Sequence, residues 1–142
     1  VHSRILLPLF LLGLCYTVNA QRTEDDVLRL LTADAEKTWL NEGTETILKG
    51  SDDCEEGGYV IFRSDKSVLS AECIDGEYRY TELSFALRQE SPVDWYLTLG
   101  EKEFYLVMTE TAAYDEIKLR TFSGDDKLDP ALDLILKYMN DD

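Results

Sequence analysis

Apolar and polar side chains alternate with a period of two residues through most of this chain, and this period constrains the fold more than any other feature. In the segment 82–88, for example, Leu83, Phe85 and Leu87 fall on one face, with polar or small residues between them. Successive side chains of a β-strand point to opposite faces, so the pattern predicts half-buried strands. The segments are rich in Val, Ile, Thr, Tyr and Phe and are separated by turn residues such as Asp75-Gly76.

These strand segments follow one another at nearly regular spacing. They lie near 37–48, 58–64, 67–74, 78–88, 93–99, 103–111, 114–122 and 131–139. No helical pattern interrupts the series, which indicates antiparallel hairpins in chain order. A sheet of this length has two exposed edges unless it closes on itself. The pattern therefore predicts an all-β fold, an eight-stranded antiparallel up-and-down barrel.

A short helix is predicted before the first strand. Thr23 is a good capping residue, the three residues after it are acids, and Val27, Leu30 and Leu31 follow at helical spacing. This arrangement predicts a short amphipathic helix within residues 23–35. The helix has only a narrow apolar stripe, so it must pack against the barrel.

The last strand segment, 131–139, has a second interpretation. Asp129-Pro130 is a favourable helix start, and Leu132, Leu136 and Met139 also fit one face of a helix. We favour the strand, because an eighth strand closes the barrel.

The first twenty residues have the composition of an export signal. A polar start precedes the apolar run 5–14, and Val18-Asn19-Ala20 offers the small residues of a cleavage site. The apolar run is about ten residues long, half of what a bilayer span needs. We expect a secreted or periplasmic protein without a membrane span. Its predicted parts are a signal peptide (1–20), an N-terminal segment with the short helix (21–36) and the barrel (37–142).

The cysteines fit this location. Cleavage removes Cys15 and leaves Cys54 and Cys73 as one even pair. In an exported chain such a pair predicts a disulfide. The alternative is a pair of free thiols or metal ligands.

The charge is strongly negative. The sequence has 14 basic and 29 acidic residues and a formal charge of −15; loss of Arg4 with the signal gives 13 − 29 = −16. Nucleic acid and anionic lipid are excluded as partners, because phosphate contacts need clustered Lys and Arg. The charge favours a basic protein partner, although solubility alone also explains it. We expect a monomer.

Few side chains are available for catalysis. The one histidine, His2, lies in the signal segment, so histidine-assisted nucleophiles and the usual zinc ligands are missing from the barrel. The catalytic groups that remain are carboxylates, and an enzyme that acts through a pair of carboxylates is the function we favour least. The acidic run 51–56 lacks the alternating ligands and central glycine of a helix-loop-helix calcium site. We predict no enzyme activity, no catalytic residue, no cofactor and no metal.

Alternation also predicts which side chains line the barrel. Ten apolar residues are predicted to face inward and to line a ligand site: Phe62, Leu69, Leu83, Phe85, Trp95, Leu97, Phe104, Leu106, Ile117 and Leu119. The alternative is a filled core, because small eight-stranded barrels are often filled by their own side chains. Trp39, just after the helix, is predicted to plug one barrel end.

Several short motifs resemble a known family. They are Lys37-Thr38-Trp39, Cys54 before Tyr59-Val60-Ile61-Phe62, the hairpin Arg63-Ser64-Asp65-Lys66, Asp94-Trp95-Tyr96-Leu97 and Asp115-Glu116-Ile117-Lys118-Leu119. Over about residues 25–139 the chain resembles the lipocalin-like proteins exported by Bacteroidetes-type bacteria.

The resemblance implies an up-and-down barrel whose mouth accepts a small apolar molecule. In lipocalins proper a glycine stands two residues before the first-strand tryptophan, and a late basic residue packs on that tryptophan. Here Lys37 replaces the glycine, and both Arg120 and Lys137 remain candidates for the basic residue.

Two functions follow as expectations. The first is an exported binding protein, without catalysis, for a small apolar ligand in the barrel mouth. The alternative is an acidic protein-interaction module, such as an inhibitor of a secreted hydrolase, that uses loops 50–57 and 123–130. A rigid acidic barrel suits that second role, because negative charge speeds encounter with a basic partner.

Overall fold

The computed structural model describes residues 21–44, 53–124 and 127–140. The predicted signal peptide, the end of the first predicted strand and parts of both predicted contact loops lie outside these residues. One helix, α1 (Glu24–Thr32), precedes the strands. The strands are β1 (Glu36–Asn41), β2 (Gly58–Arg63), β3 (Ser67–Ile74), β4 (Glu77–Ser91), β5 (Asp94–Leu99), β6 (Lys102–Glu110), β7 (Tyr114–Arg120) and β8 (Leu134–Met139).

The eight strands form one closed barrel in chain order, and the predicted fold is confirmed. Each strand pairs antiparallel with its sequence neighbour, and β8 returns to β1. The closing ladder is short, with Leu40 opposite Lys137 and Asn41 opposite Leu136. The first half of β1 therefore has no register partner on β8, and side chains must complete the barrel there.

Helix α1 begins where its sequence predicts. The Thr23 hydroxyl accepts from the Asp26 amide at 3.1 Å, and the Asp26 carboxylate accepts from the Thr23 amide at 3.0 Å. This reciprocal cap satisfies two amides that have no partner inside the helix. The helix ends at Ala33, which adopts a left-handed conformation with φ of 53°. Its buried face packs on β1 and β2 and covers one end of the barrel.

The core fills the barrel from the helix inward. It joins Val27, Leu30 and Leu31 of α1 to inward residues of the strands, namely Trp39, Val60, Phe62, Val68, Phe85, Trp95, Leu97, Phe104, Leu106, Met108, Ile117, Leu119 and Leu136. Phe62 and Phe85 meet edge to face, with ring centroids 5.4 Å apart. Most of these side chains have no exposed surface, so no water-filled space reaches them.

The prediction that Leu69 on β3 faces the barrel interior is wrong. Val68 is fully buried and lies opposite Phe62, whereas Leu69 is half-buried and lies opposite Ile61 on the outer face. Alternation favours the wrong face here, because Leu69, Ala71 and Cys73 alternate with the polar residues Ser70 and Glu72. A shift of one residue exchanges the two faces of a strand.

The Cys54–Cys73 disulfide is confirmed. Its S–S distance is 1.99 Å and its Cα atoms lie 5.9 Å apart. Cys73 shares a face of β3 with Leu69, so the disulfide ties residues 53–57 to the outside of the barrel. The next turn, Asp75-Gly76, has positive φ at both residues. A two-residue type I′ hairpin turn requires this conformation, because it matches the right-handed twist of the strands.

The last segment contains both of the structures that its sequence suggests, first a short helical turn and then a strand. The Asp129 carboxylate accepts from the Ala131 amide at 3.0 Å and caps a single 3-10 turn, Pro130–Leu132. The chain then extends into β8, which pairs with both β7 and β1. The strand interpretation is confirmed over Leu134–Met139.

Candidate functional site

The two ends of the barrel differ. Because β1 leaves α1 at one end and successive strands alternate in direction, this helix end also holds the β2–β3, β4–β5 and β6–β7 connections. The opposite end, here called the far end, holds the β3–β4, β5–β6 and β7–β8 connections. The residues at each end decide whether the barrel can admit a ligand.

At the helix end, Trp39 is fixed in the place predicted for a plug. Its side chain is fully buried, and its indole N–H donates to the carbonyl of Leu31 in α1 at 3.0 Å. Tyr138 lies beside it, with ring centroids 6.2 Å apart. These contacts join the helix to β1 and β8, where the strand ladder is incomplete.

The cation that packs on Trp39 comes from the same strand. Lys37 Nζ lies 4.5 Å from the centroids of both Trp39 and Tyr138. It donates to the carbonyl of Leu30 at 3.0 Å and to Asp115 Oδ2 on β7 at 2.8 Å. Lys37 thus spans from β1 past β8 to β7 and closes the gap left by the short ladder.

Neither predicted late basic residue occupies that position. Arg120 forms two hydrogen bonds with Asp133, at 2.9 and 3.0 Å. Lys137 lies over the Tyr114 ring at 5.0 Å and 3.6 Å from Glu116. Both side chains project from the outer face, because they alternate with the buried residues of their strands.

A polar groove of about 510 Å³ runs between α1 and the helix end of the barrel. Its floor is the Lys37–Asp115 ion pair, and its walls include Arg22, Arg29 and Glu110. Arg22 is paired with Glu110 at 2.5 Å. Because most of its lining consists of cations and carboxylates, several of which pair with each other, this groove suits a polar ligand better than an apolar one.

Toward the far end, the inward positions lose their burial. Leu119 is fully buried, but Leu134, its register partner on β8, is 40% exposed. Leu134 belongs to a group of inward apolar residues near this end that also includes Leu83, Leu99 and Phe104. We call these four residues the apolar rim. Leu83 and Leu99 are half-buried, and Phe104 is 9% exposed. The rim therefore has apolar surface available directly above the filled core.

One polar atom without a partner lies on β1 toward the same end of the barrel. Asn41 occupies the last inward position of β1, opposite the buried Leu136. Its Oδ1 atom is buried and accepts no hydrogen bond. An unsatisfied buried acceptor costs about 1–3 kcal/mol, and the burial that creates this cost also keeps the atom out of reach of a ligand.

The ten predicted lining residues divide into three groups. Eight lie in the core, with Phe104 at its border with the rim: Phe62, Phe85, Trp95, Leu97, Phe104, Leu106, Ile117 and Leu119. Leu83 packs against the core from the rim. Leu69 is outside the barrel, as described above. Sequence reasoning missed Asn41 and Leu134, although both continue an inward alternation: Asn41 follows Trp39, and Leu134 precedes Leu136.

A second unpartnered polar atom lies deep in the helix end. Trp95 is 3% exposed, and its indole Nε1 has no hydrogen-bond partner. Its neighbours across the sheet are Leu106 and Gln89. The N–H carries an uncompensated desolvation cost, which makes this indole a useful probe of stability.

The exposed hairpin at Ser91–Asp94 has one perturbed acid. Hydrogen bonds from the hydroxyls of Ser91 (2.6 Å) and Tyr105 (2.7 Å) lower the pKa of Asp94 below its ordinary 3.8. Both donors stabilise the charged form, so this carboxylate is an acceptor that holds the hairpin rather than a proton donor.

Within the described residues, no group of three or more His, Cys, Asp or Glu side chains is arranged to hold a metal ion. None of the described helices has the length and apolarity to cross a membrane. Comparison with protein families, with curated proteins and with solved structures finds no match to this chain.

Proposed function

We propose that this protein is a non-catalytic binding protein that holds a small apolar ligand at the far end of the barrel. The observation that carries the proposal is the loss of burial between Leu119 and Leu134, which face each other across β7 and β8. Inward apolar side chains normally cover one another in a closed barrel. Here they leave a surface that a ligand can cover.

The filled core limits how deep the ligand lies. Leu97, Leu106 and Leu119 are fully buried, so the ligand rests on them rather than among them. A shallow site of this kind fits a flat ring or a short chain.

The fluorescent probe N-phenyl-1-naphthylamine tests this proposal, because it is neutral, flat and apolar. Covering about 250 Å² of its apolar surface yields roughly 6 kcal/mol before the entropy cost of association, which corresponds to a Kd of tens of micromolar or weaker. We expect saturable fluorescence enhancement in that range. Neutrality matters, because the acidic protein repels anionic dyes.

Two glutamate substitutions locate the site. Leu134→Glu places a charge on the rim and should weaken probe binding at least about tenfold. Val93→Glu is the matched control, because Val93 is 42% exposed, much like Leu134, but lies at the helix end. Absence of saturable binding, or an equal loss in both variants, would refute the proposal.

A further inference from the structure

The outer wall of β1–β4 carries apolar side chains where a soluble antiparallel sheet normally presents polar ones. Alternation with the buried Trp39, Val60 and Val68 places their neighbours outside. Five of these outward residues form a block that we call the tyrosine face: Leu40, Tyr59, Ile61, Leu69 and Tyr80.

Strand register makes this block continuous. Leu40 lies opposite Tyr59, Tyr59 opposite Ala71, and Ala71 opposite Tyr80. Ile61 lies opposite Leu69 in the next row. Directly opposed side chains on one face of a sheet are in contact range. The result is one apolar surface across four strands rather than scattered exposed residues.

The tyrosines of this face are held in place. Tyr78, 7% exposed, contacts Tyr59 edge to face at 5.2 Å and Tyr80 at 6.2 Å. Its register partner Cys73 is bonded to Cys54, which fixes the adjoining segment. Tyr80 stands at the edge of this ladder and is 46% exposed. Rings fixed in advance lose little conformational entropy when a partner covers them.

The opposite wall has an aromatic pair of its own, but that pair is covered. Tyr96 and Tyr105 meet at 5.3 Å. Arg88 stacks on Tyr96 at 4.4 Å, and the Tyr105 hydroxyl donates to Asp94. The opposite wall therefore provides a control surface with aromatic side chains of the same kind.

Acidic side chains border the tyrosine face at both ends. Glu36 and Glu82 are 65% and 70% exposed at one end, with Arg63 shared between them. The segment after the disulfide cysteine, with exposed Glu55 and Glu56, lies at the other end. A Lys or Arg side chain placed here can form a cation–π contact with a tyrosine ring and an ion pair with a carboxylate. The surface is therefore complementary to a segment with an apolar anchor and a Lys or Arg on either side of it.

We infer that the tyrosine face is a docking surface for a basic polypeptide segment that has an apolar anchor at its centre. The anchor packs on Leu69 and Tyr80, and the flanking cations meet the acidic borders. The site is separate from the apolar rim, because its side chains point away from the barrel interior. Peptide docking can therefore be tested separately from binding of the proposed small ligand.

Two synthetic peptides test this inference with the oxidised full barrel domain. One has a Leu-Trp-Leu centre flanked by lysines, and the other has glutamate in place of each lysine. By calorimetry and by backbone amide shifts, we expect only the lysine peptide to bind and to shift residues of β1–β4. The affinity should fall several-fold between ~50 and ~300 mM salt, since the flanking contacts are screened.

Matched serine variants separate docking from general effects. The double variant Leu69→Ser/Tyr80→Ser should weaken the lysine peptide at least about tenfold, whereas Tyr96→Ser on the opposite wall should leave it unchanged. Circular dichroism and melting curves confirm that each variant is folded. The inference is overturned by no saturable binding of the lysine peptide, by equal binding of both peptides, or by equal losses in the two variants.

Discussion

Removal of the Lys37 ammonium should be among the most damaging single changes outside the apolar core. Lys37 and Asp115 are 8% and 12% exposed and lie 2.8 Å apart. In Lys37→Met the apolar stem is preserved, but the Asp115 carboxylate remains buried without its cation. The barrel also loses the contact that spans from β1 to β7 beside the short closing ladder.

The expected magnitude follows from the contacts of Nζ. Two charge-assisted hydrogen bonds, to Leu30 and to Asp115, contribute about 1.5–3 kcal/mol each. Partly offset by methionine packing, this agrees with the roughly 3–5 kcal/mol observed when one partner of a buried pair is removed. For a barrel of this size, that loss lowers Tm by about 12–20 °C.

Urea titrations of a double-mutant cycle provide the measurement. We expect Lys37→Met and Asp115→Leu each to lose roughly 3 kcal/mol or more, while the double variant recovers most of it, because the pair is replaced by apolar groups. Lys137→Met is the control, since that lysine is 43% exposed, and should change stability by less than about 1 kcal/mol. Single losses below about 1 kcal/mol, or strictly additive losses, would show that the pair does not hold the barrel closed.

Three further predictions concern stability. Replacing Cys54 and Cys73 by serine opens a loop of sequence separation 19 and should cost about 3 kcal/mol in urea unfolding, with unchanged stability as the contrary result. Trp95→Phe and Trp39→Phe both leave a cavity, but only Trp39→Phe loses a hydrogen bond, so it should cost about 1–3 kcal/mol more than Trp95→Phe; the reverse order would contradict this account. The lowered pKa of Asp94 contributes stability that is complete above the unfolded pKa and is lost as pH falls through the folded value. Asp94→Asn should therefore lose less stability than the parent between pH ~5 and pH ~2.5, and equal losses would exclude this role.

The limits of alternation are clearest in β3. The strand itself and its boundaries follow from composition, but the alternation of Leu69 and Ala71 with Ser70 favours the wrong residue as the inward one. Pairing with β2 decides, because Phe62 must face the core and Val68 is its register partner. The same register places Leu69 on the outer surface of the barrel.

The position of the cation was also beyond sequence reasoning. Lys37 stands where a glycine is expected and appeared only as a departure from the family pattern. Its side chain is long enough to reach Asp115, but the two residues are 78 positions apart along the chain. Only closure of the barrel, with α1 folded over that end, brings the ammonium beneath the carbonyl of Leu30.

The sequence by itself determined the local features of this protein: the period of two, the turn residues, the capped helix start at Thr23 and the even cysteine pair. These depend on neighbouring residues, so a single chain read in order contains them. Tertiary structure alone decided which face of β3 is buried, which cation covers Trp39 and where apolar surface stays exposed. Those outcomes depend on contacts between strands distant in sequence, and burial is a property of the assembled barrel.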